Sequence, residues 1–322
     1  MISQHIQLLQ LFRKVIPPLR SHAHKGESGR IGVIGGSEEY TGGPVFAGMA
    51  AFRTGADLVR VFCAEEAAIP IKSFSPDLIV YPLLNSKNFS NDISKWLPRL
   101  HTLVIGPGLG RNEHILSNVE QLIVILRKQD KPIPIVIDAD GLFLIAEKPY
   151  LINNYENCIL TPNMIEFEHL YEKVIGIKPE KFKRESDKKI LTQKLAETLR
   201  VNIFMKGHFD TISSPNNQEP IQSSIQGSPK RCSGQGDLLA GTLSVLYYWA
   251  IKNRDKIEHQ SSTSEELSYH LSKVTPAQVA AYAASTLIRI ASRTAFNKFG
   301  RSMISADILK EIGPSFHKVF EK

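Results

Sequence analysis

The chain has 322 residues, 42% of them hydrophobic, and a formal net charge of +7 from 39 Lys and Arg against 32 Asp and Glu. This suits a globular protein with a sizeable core and excludes a disordered chain. The thinly spread basic excess suits anionic small molecules, and no basic stripe with interleaved aromatics supports nucleic-acid binding.

Three cysteines, Cys63, Cys158 and Cys232, show no zinc-ligand spacing and fit a reducing compartment. No apolar run approaches the roughly 20 residues of a membrane-spanning helix, so a soluble protein is expected, with no membrane partner. The first 24 residues are basic and partly amphipathic. They read either as a weak targeting segment or as a docking helix using Ile6, Leu9, Val15 and Ile16, broken at Pro17 and Pro18. The expected location is the cytoplasm, with the mitochondrion as the alternative.

From Arg30 onward short β-branched runs alternate with helical stretches. Strands are predicted at Ile31 to Ile34, Leu58 to Cys63, Leu78 to Tyr81, Leu103 to Ile105, Ile133 to Ile137, Ile159 to Leu160 and Asn202 to Met205. Helices are predicted at Gly48 to Arg53, Ile115 to Lys128 and Leu191 to Leu199. Strands this continuously apolar are buried on both faces, which predicts an α/β fold with a mainly parallel central sheet flanked by helices on both faces. A strand pair around Phe204 and Thr211 leads to a glycine-rich turn and a helix at Leu238 to Ile251. A polar surface insertion over 252–273 and a final apolar helix, Ala277 to Ala291, follow. No repeat or linker interrupts the chain, so a single domain over 1–322 is expected.

Polar residues gather where strands end. GVIGGS, Gly32 to Ser37, is half of a dinucleotide fingerprint, with Glu65 as a candidate ribose ligand; no GxxxxGK[ST] occurs. In VIGPGLGR, Gly106, Gly108 and Gly110 either admit a ligand or make a tight turn into a helix at Glu113. In VIDADGL, Asp138 and Asp140 either orient magnesium through water or, for Asp140, cap a helix. In LTPNMIEFEHL, Asn163 and Glu166 either bind substrate or cap a helix. In MKGHFD, Lys206 sits where it could neutralise phosphate, or Gly207 to Asp210 forms a plain hairpin turn. GSPKRCSGQGDLLAG, Gly227 to Gly241, joins Gly-x-Gly, an adjacent acid and the basic pair Lys230 and Arg231 at a helix start. That combination favours an anion hole of N–H groups around Gly234 to Gly236, with Asp237 as a base.

These motifs, with KGESGRIGVIGGSEEYTGGPVFAGMAAFRTGADLVRVFC, occur in the order seen in the eukaryotic ATP-dependent NAD(P)H-hydrate dehydratases, and the chain resembles that ribokinase-like family from about Lys25 to the last helix. The resemblance implies phosphorylation by ATP of the ring hydroxyl in the S epimer of NADH or NADPH hydrate, then loss of phosphate. Asp237 would take the hydroxyl proton while Gly234 and Gly236 steady developing charge. Substrate contacts are implied for Gly108, Gly110, Asn163, Met164, Ile165, Glu166, Phe167, Glu168, His169 and Asp237. ATP contacts are implied for Lys206, Gly207, His208, Phe209 and Asp210, and for Gly227, Ser228, Pro229, Lys230, Arg231, Cys232, Ser233, Gly234, Gln235 and Gly236. ATP with magnesium is the implied co-substrate pair, and a homo-oligomer is compatible with the resemblance. ATP is chosen over ADP because SPKRCSGQGD resembles the eukaryotic form. The chain departs from the family pattern at Gly43 (usually Ala), Ser233 (usually Gly) and Ala240 (usually Ser). A small-molecule kinase of the same superfamily is the rival reading.

Overall fold

Nine short strands form one sheet in the order β3-β2-β1-β4-β5-β6-β7-β8-β9. They are β1 (Arg30–Ile34), β2 (Leu58–Cys63), β3 (Ile79–Pro82), β4 (Thr102–Ile105), β5 (Ile135–Ile137), β6 (Cys158–Leu160), β7 (Asn202–Met205), β8 (Asp210–Ser214) and β9 (Asn217–Ser223). The computed structural model describes residues 2–22, 24–179, 185–258 and 274–321.

The helices are α1 (Ile2–Val15), α2 (Gly42–Thr54), α3 (Glu65–Phe74), α4 (Phe89–Ser94), α5 (Glu113–Arg127), α6 (Asp140–Glu147), α7 (Met164–Ile175), α8 (Glu185–Leu199), α9 (Gln235–Lys252), α10 (Asp255–Glu258), α11 (Pro276–Phe299) and α12 (Ser305–Phe316). The final turns, His317–Glu321, pack on α1 and α12. Of the polar insertion expected over 252–273, the first residues finish α9 and form α10. Residues 259–273 lie outside the described ones.

β1 to β7 pair in parallel and β7, β8 and β9 antiparallel. Side chains alternate between faces along a strand. Val33, Val61, Val104, Val136, Ile159 and Phe204 therefore share one core with α1, α2, α9, α11 and α12. Ile34, Phe62, Leu103, Ile105, Ile137 and Leu160 share the other with α4 to α8.

Several expectations shift: α8 begins at Glu185, ahead of the predicted Leu191, and α11 runs on to Phe299, past the predicted Ala291. α2 begins at Gly42, ahead of the predicted Gly48: Pro44 is tolerated in the first turn, where its missing N–H is not needed, and Gly48 is an interior packing position, where a Cβ would lie 2.8 Å from Leu78 Cδ2. β5 starts at Ile135, since Pro134 has no N–H for the ladder. α1 does dock, through the expected Val15 together with Leu8, Leu11 and Phe12, each at most 2% exposed, with Leu9 and Ile16 packed partly buried beside them; of the expected residues only Ile6, 48% exposed, stays out. The helical phase of 8, 11, 12 and 15 sets the buried stripe.

Candidate active site

Loops leaving β5, β6 and β7 converge with the start of α9 around a cavity of about 680 Å³. Asp138, 2% exposed at the end of β5, is the fixed point. Its Oδ1 accepts from Lys206 Nζ at 2.6 Å and from the Thr161 hydroxyl at 2.8 Å. Burial opposes the Lys206 ammonium, but Asp138 and Glu166 outweigh it and hold its pKa above the ordinary lysine value. Glu166 Oε2 lies 3.9 Å from the same ammonium.

Between the two acids of VIDADGL, Ala139 takes φ 48°, ψ −125°, a strained conformation for a residue with a Cβ. This sharp bend sends Asp138 towards Lys206 and lets Asp140 reach the glycine loop, where its Oδ2 accepts from Gly110 N at 3.0 Å. Asp140 opens α6 as its first residue but is not its cap. Asn163 and Glu166 form a reciprocal capping box on α7, so their capping role is real, and both also line the cavity.

Gly234 caps α9 with φ +88°. The first N–H groups of a helix have no intrahelical partner and carry the positive end of the dipole. They sit against the Lys206–Asp138 pair: a Cβ on Gly236 would lie 3.4 Å from Lys206 Nζ and 3.3 Å from Asp138 Oδ2. Asp237 follows in that first turn. Burial chiefly, then the charge of Asp138, raises its pKa to about 7, partly offset by Lys206.

Not every implied residue reaches this cavity. Asn163, Glu166, Lys206, Gly207, Asp210 and the run Arg231 to Asp237 line it. Phe167 is fully buried among α7 and α8 side chains and supports the wall from below. Ile165 is 79% exposed, and His169 pairs with Glu147, its Nε2 at 3.4 Å; both line a neighbouring cavity of about 420 Å³. Met164 packs on the core, and Glu168 lines neither cavity. Lys230 turns away to the carbonyl of Arg301, Ser228 bonds the Lys230 carbonyl, and His208 stacks edge-on against Phe209. Gly227 lies against α11, where a Cβ would meet Ser292 Oγ at 3.2 Å, and Pro229 is absent from the lining. Gly108 is required by packing, since a Cβ would lie 2.3 Å from the Tyr40 carbonyl oxygen. Ser233 is exposed on the cavity rim, with its carbonyl held by Ser305 Oγ at 2.6 Å. At Gly43 a Cβ would lie 2.8 Å from Gly108 N.

The half fingerprint at Gly32 to Ser37 has a structural explanation: a Cβ on Gly35 would lie 2.0 Å from Pro107 O, and Gly36 N donates to Gly108 O. Glu65 opens α3, exposed, and its N–H donates to Asn85 Oδ1.

Sequence reasoning missed Arg289 in the middle of α11. Its guanidinium grips Asp210 through Nε (2.8 Å) and NH2 (2.6 Å). It also bonds the carbonyls of Gly207, His208 and Ile225. Arg289 thereby shapes the turn after Lys206 and ties it to the segment before Gly227. The signal was there to read: Arg289 is the only charged residue from Pro276 to Ser292, and a lone charge inside an apolar helical run needs a buried partner.

A mainly parallel sheet whose strand ends meet a glycine-capped helix start defines a ribokinase-like α/β protein. A solved ribokinase-like superfamily protein from Enterococcus faecalis superposes with TM-score 0.72 at 19% identity over 98% of this chain and 95% of its own. An ADP/ATP-dependent NAD(P)H-hydrate dehydratase from Bacillus subtilis, co-crystallised with ATP/Mg2+, gives 0.69 at 16% identity over 97% of each chain. Residues 31–314 match the NAD(P)H-hydrate dehydratase family, to which this chain belongs. It is 45% identical over 314 residues to the mouse protein named ATP-dependent (S)-NAD(P)H-hydrate dehydratase, covering 97% of this chain and 85% of that one.

Proposed function

We propose that this chain is an enzyme that uses ATP to dehydrate the S epimer of NAD(P)H hydrate, repairing it to NAD(P)H. The observation that carries the reading is Asp237, a carboxylate of pKa about 7 in the first turn of a helix whose glycine-rich start lines a cavity of about 680 Å³. Such a group is half-ionised near neutral pH, where a general base works best. Asp237 takes the proton of the ring hydroxyl, whose oxygen attacks the γ-phosphorus as the bond to ADP breaks. The N–H groups of Gly234 to Gly236 and the Lys206 ammonium face the charge on the phosphoryl oxygens. The phosphate then leaves with the C–O bonding pair, and the adjacent ring carbon loses a proton to restore the double bond.

Magnesium belongs to this reading as the partner of ATP. It is commonly held by one or two carboxylates with phosphates and water, and Asp138 and Glu166, both lining the cavity, would hold it. Bound there it would neutralise phosphoryl charge.

The test mixes the protein with NADH hydrate, ATP and magnesium and follows the return of dihydronicotinamide absorbance, with ATP omitted or replaced by ADP. ATP-dependent recovery with free phosphate supports the reading. A stable phosphorylated product would turn it towards a small-molecule kinase.

A further inference from the structure

The catalytic cavity continues along the strand ends. It shares Ala139 and Glu166 with the neighbouring cavity of about 420 Å³, which shares Arg111 and Asp140 with a third of about 860 Å³. The third cavity is walled by Ser37 to Tyr40, Asn85 and Asn112. It lies at the C-terminal ends of β1 and β4, where the sheet order reverses. Open parallel sheets bind nucleotides at such a switch point. Arg111 stands at the junction and is the only lysine or arginine among the described residues lining either outer cavity. The other charged residues lining the third cavity are acidic, Glu38, Glu39, Glu66 and Asp140.

Arg111 is also prepared for a ligand. Its Cζ lies 4.4 Å above the Phe143 ring, and Asp140 stands 3.8 Å from its Nε, beyond hydrogen-bond reach. Its side chain is 67% exposed, so the guanidinium donors remain open to the trough. Arginine presents a planar fork that suits phosphate oxygens.

We propose that Arg111 anchors the pyrophosphate of the dinucleotide hydrate, with the hydrated nicotinamide reaching towards Asp237 and the adenosine half seated in the switch-point cavity. This rests on the proposed reaction and extends it to Arg111, the last residue of the VIGPGLGR motif, for which the motif reading gave no role. A dinucleotide spans adjoining compartments, and among the described residues lining the two outer cavities an anionic linker meets a permanent cation only at Arg111.

The experiment is titration calorimetry of ADP-ribose, which carries the same pyrophosphate and adenosine. It binds to protein whose catalytic cavity is filled by a non-hydrolysable ATP analogue, and wild type is compared with Arg111→Ala and Arg111→Lys. Losing charge-assisted phosphate bonds should weaken ADP-ribose roughly tenfold or more in the alanine variant, with partial recovery in the lysine variant. The dissociation constant of the ATP analogue should stay within about twofold, by the same bonding argument. Unchanged ADP-ribose affinity, or a loss confined to the ATP analogue, would overturn the assignment. Because binding is read without turnover, a wild type that fails to repair NADH hydrate sinks the reaction while this titration still decides the role of Arg111.

Discussion

In the proposed reaction Asp237 is the base, and its environment makes two consequences measurable. As a base it must be ionised, so kcat/KM for the hydrate should fall about tenfold per pH unit below a pKa near 7. Asp237→Asn should lower kcat by about a thousandfold, in the middle of the range for a lost general base, while ATP affinity holds. The same raised pKa bears on stability with a definite sign. The folded state holds this proton from about pH 7 down to the ordinary aspartate range, where the unfolded chain has released it. Stability therefore drops as pH rises across that window, and above it the buried charge is a standing cost. Asp237→Asn should then melt a few degrees higher than wild type at pH 8 and with no gain at pH 3.5, which paired thermal scans would reveal. A variant less stable at pH 8 would refute the buried-charge account.

Between elements, two contacts hold the catalytic loops in register. Arg289 on α11 and Asp210 on β8 are 8% and 5% exposed, so truncating one leaves the other charged, buried and alone. Arg289→Ala should cost about 3–5 kcal/mol in denaturant unfolding. It should also raise the KM for ATP, because Gly207 and His208 lose the donors that shape their turn. Arg289→Lys should not restore it, since one ammonium cannot replace the fork. The second contact is α2 against α9. A Cβ on Gly241 would lie 2.0 Å from the Ala47 carbonyl oxygen, so this helix-interior glycine exists for close approach and not for freedom. Gly241→Ala should destabilise by about 3 kcal/mol or more, despite the gain in helix propensity, and shift the α9 start that carries Asp237. Equal or greater stability would show that the two helices can part at little cost.

Over the whole molecule, ligand and fold should be linked through that site, because the cavity is assembled from β5, β6, β7, α9 and α11. ATP at a hundredfold excess over its dissociation constant should add about 2.7 kcal/mol to stability, seen as a rise in Tm. Arg289→Ala should lose most of that rise and Asp237→Asn should keep it. Much of this architecture was legible in the order of residues. Apolar runs such as Leu103 to Ile105, buried throughout, are satisfied by burial on both faces, and hydrogen bonding then demands neighbouring strands. The start of α9 after the glycine-rich turn was legible too, although an acid in a first helical turn also serves the dipole, so the motif alone did not fix the role of Asp237. What the linear order could not carry was distance between residues far apart in it. Asp138 and Lys206 are 68 positions apart and 2.6 Å apart in space. Arg289 reaches a turn 82 positions away. The local pattern around Gly35 suited a dinucleotide loop until packing showed Pro107 filling the space. Local propensity and periodicity determined the strands, the helices and the end of the sheet that holds the site. Tertiary packing alone decided which charges were buried together, and so which acid pairs with a lysine and which, Asp237, is left with a pKa near neutrality.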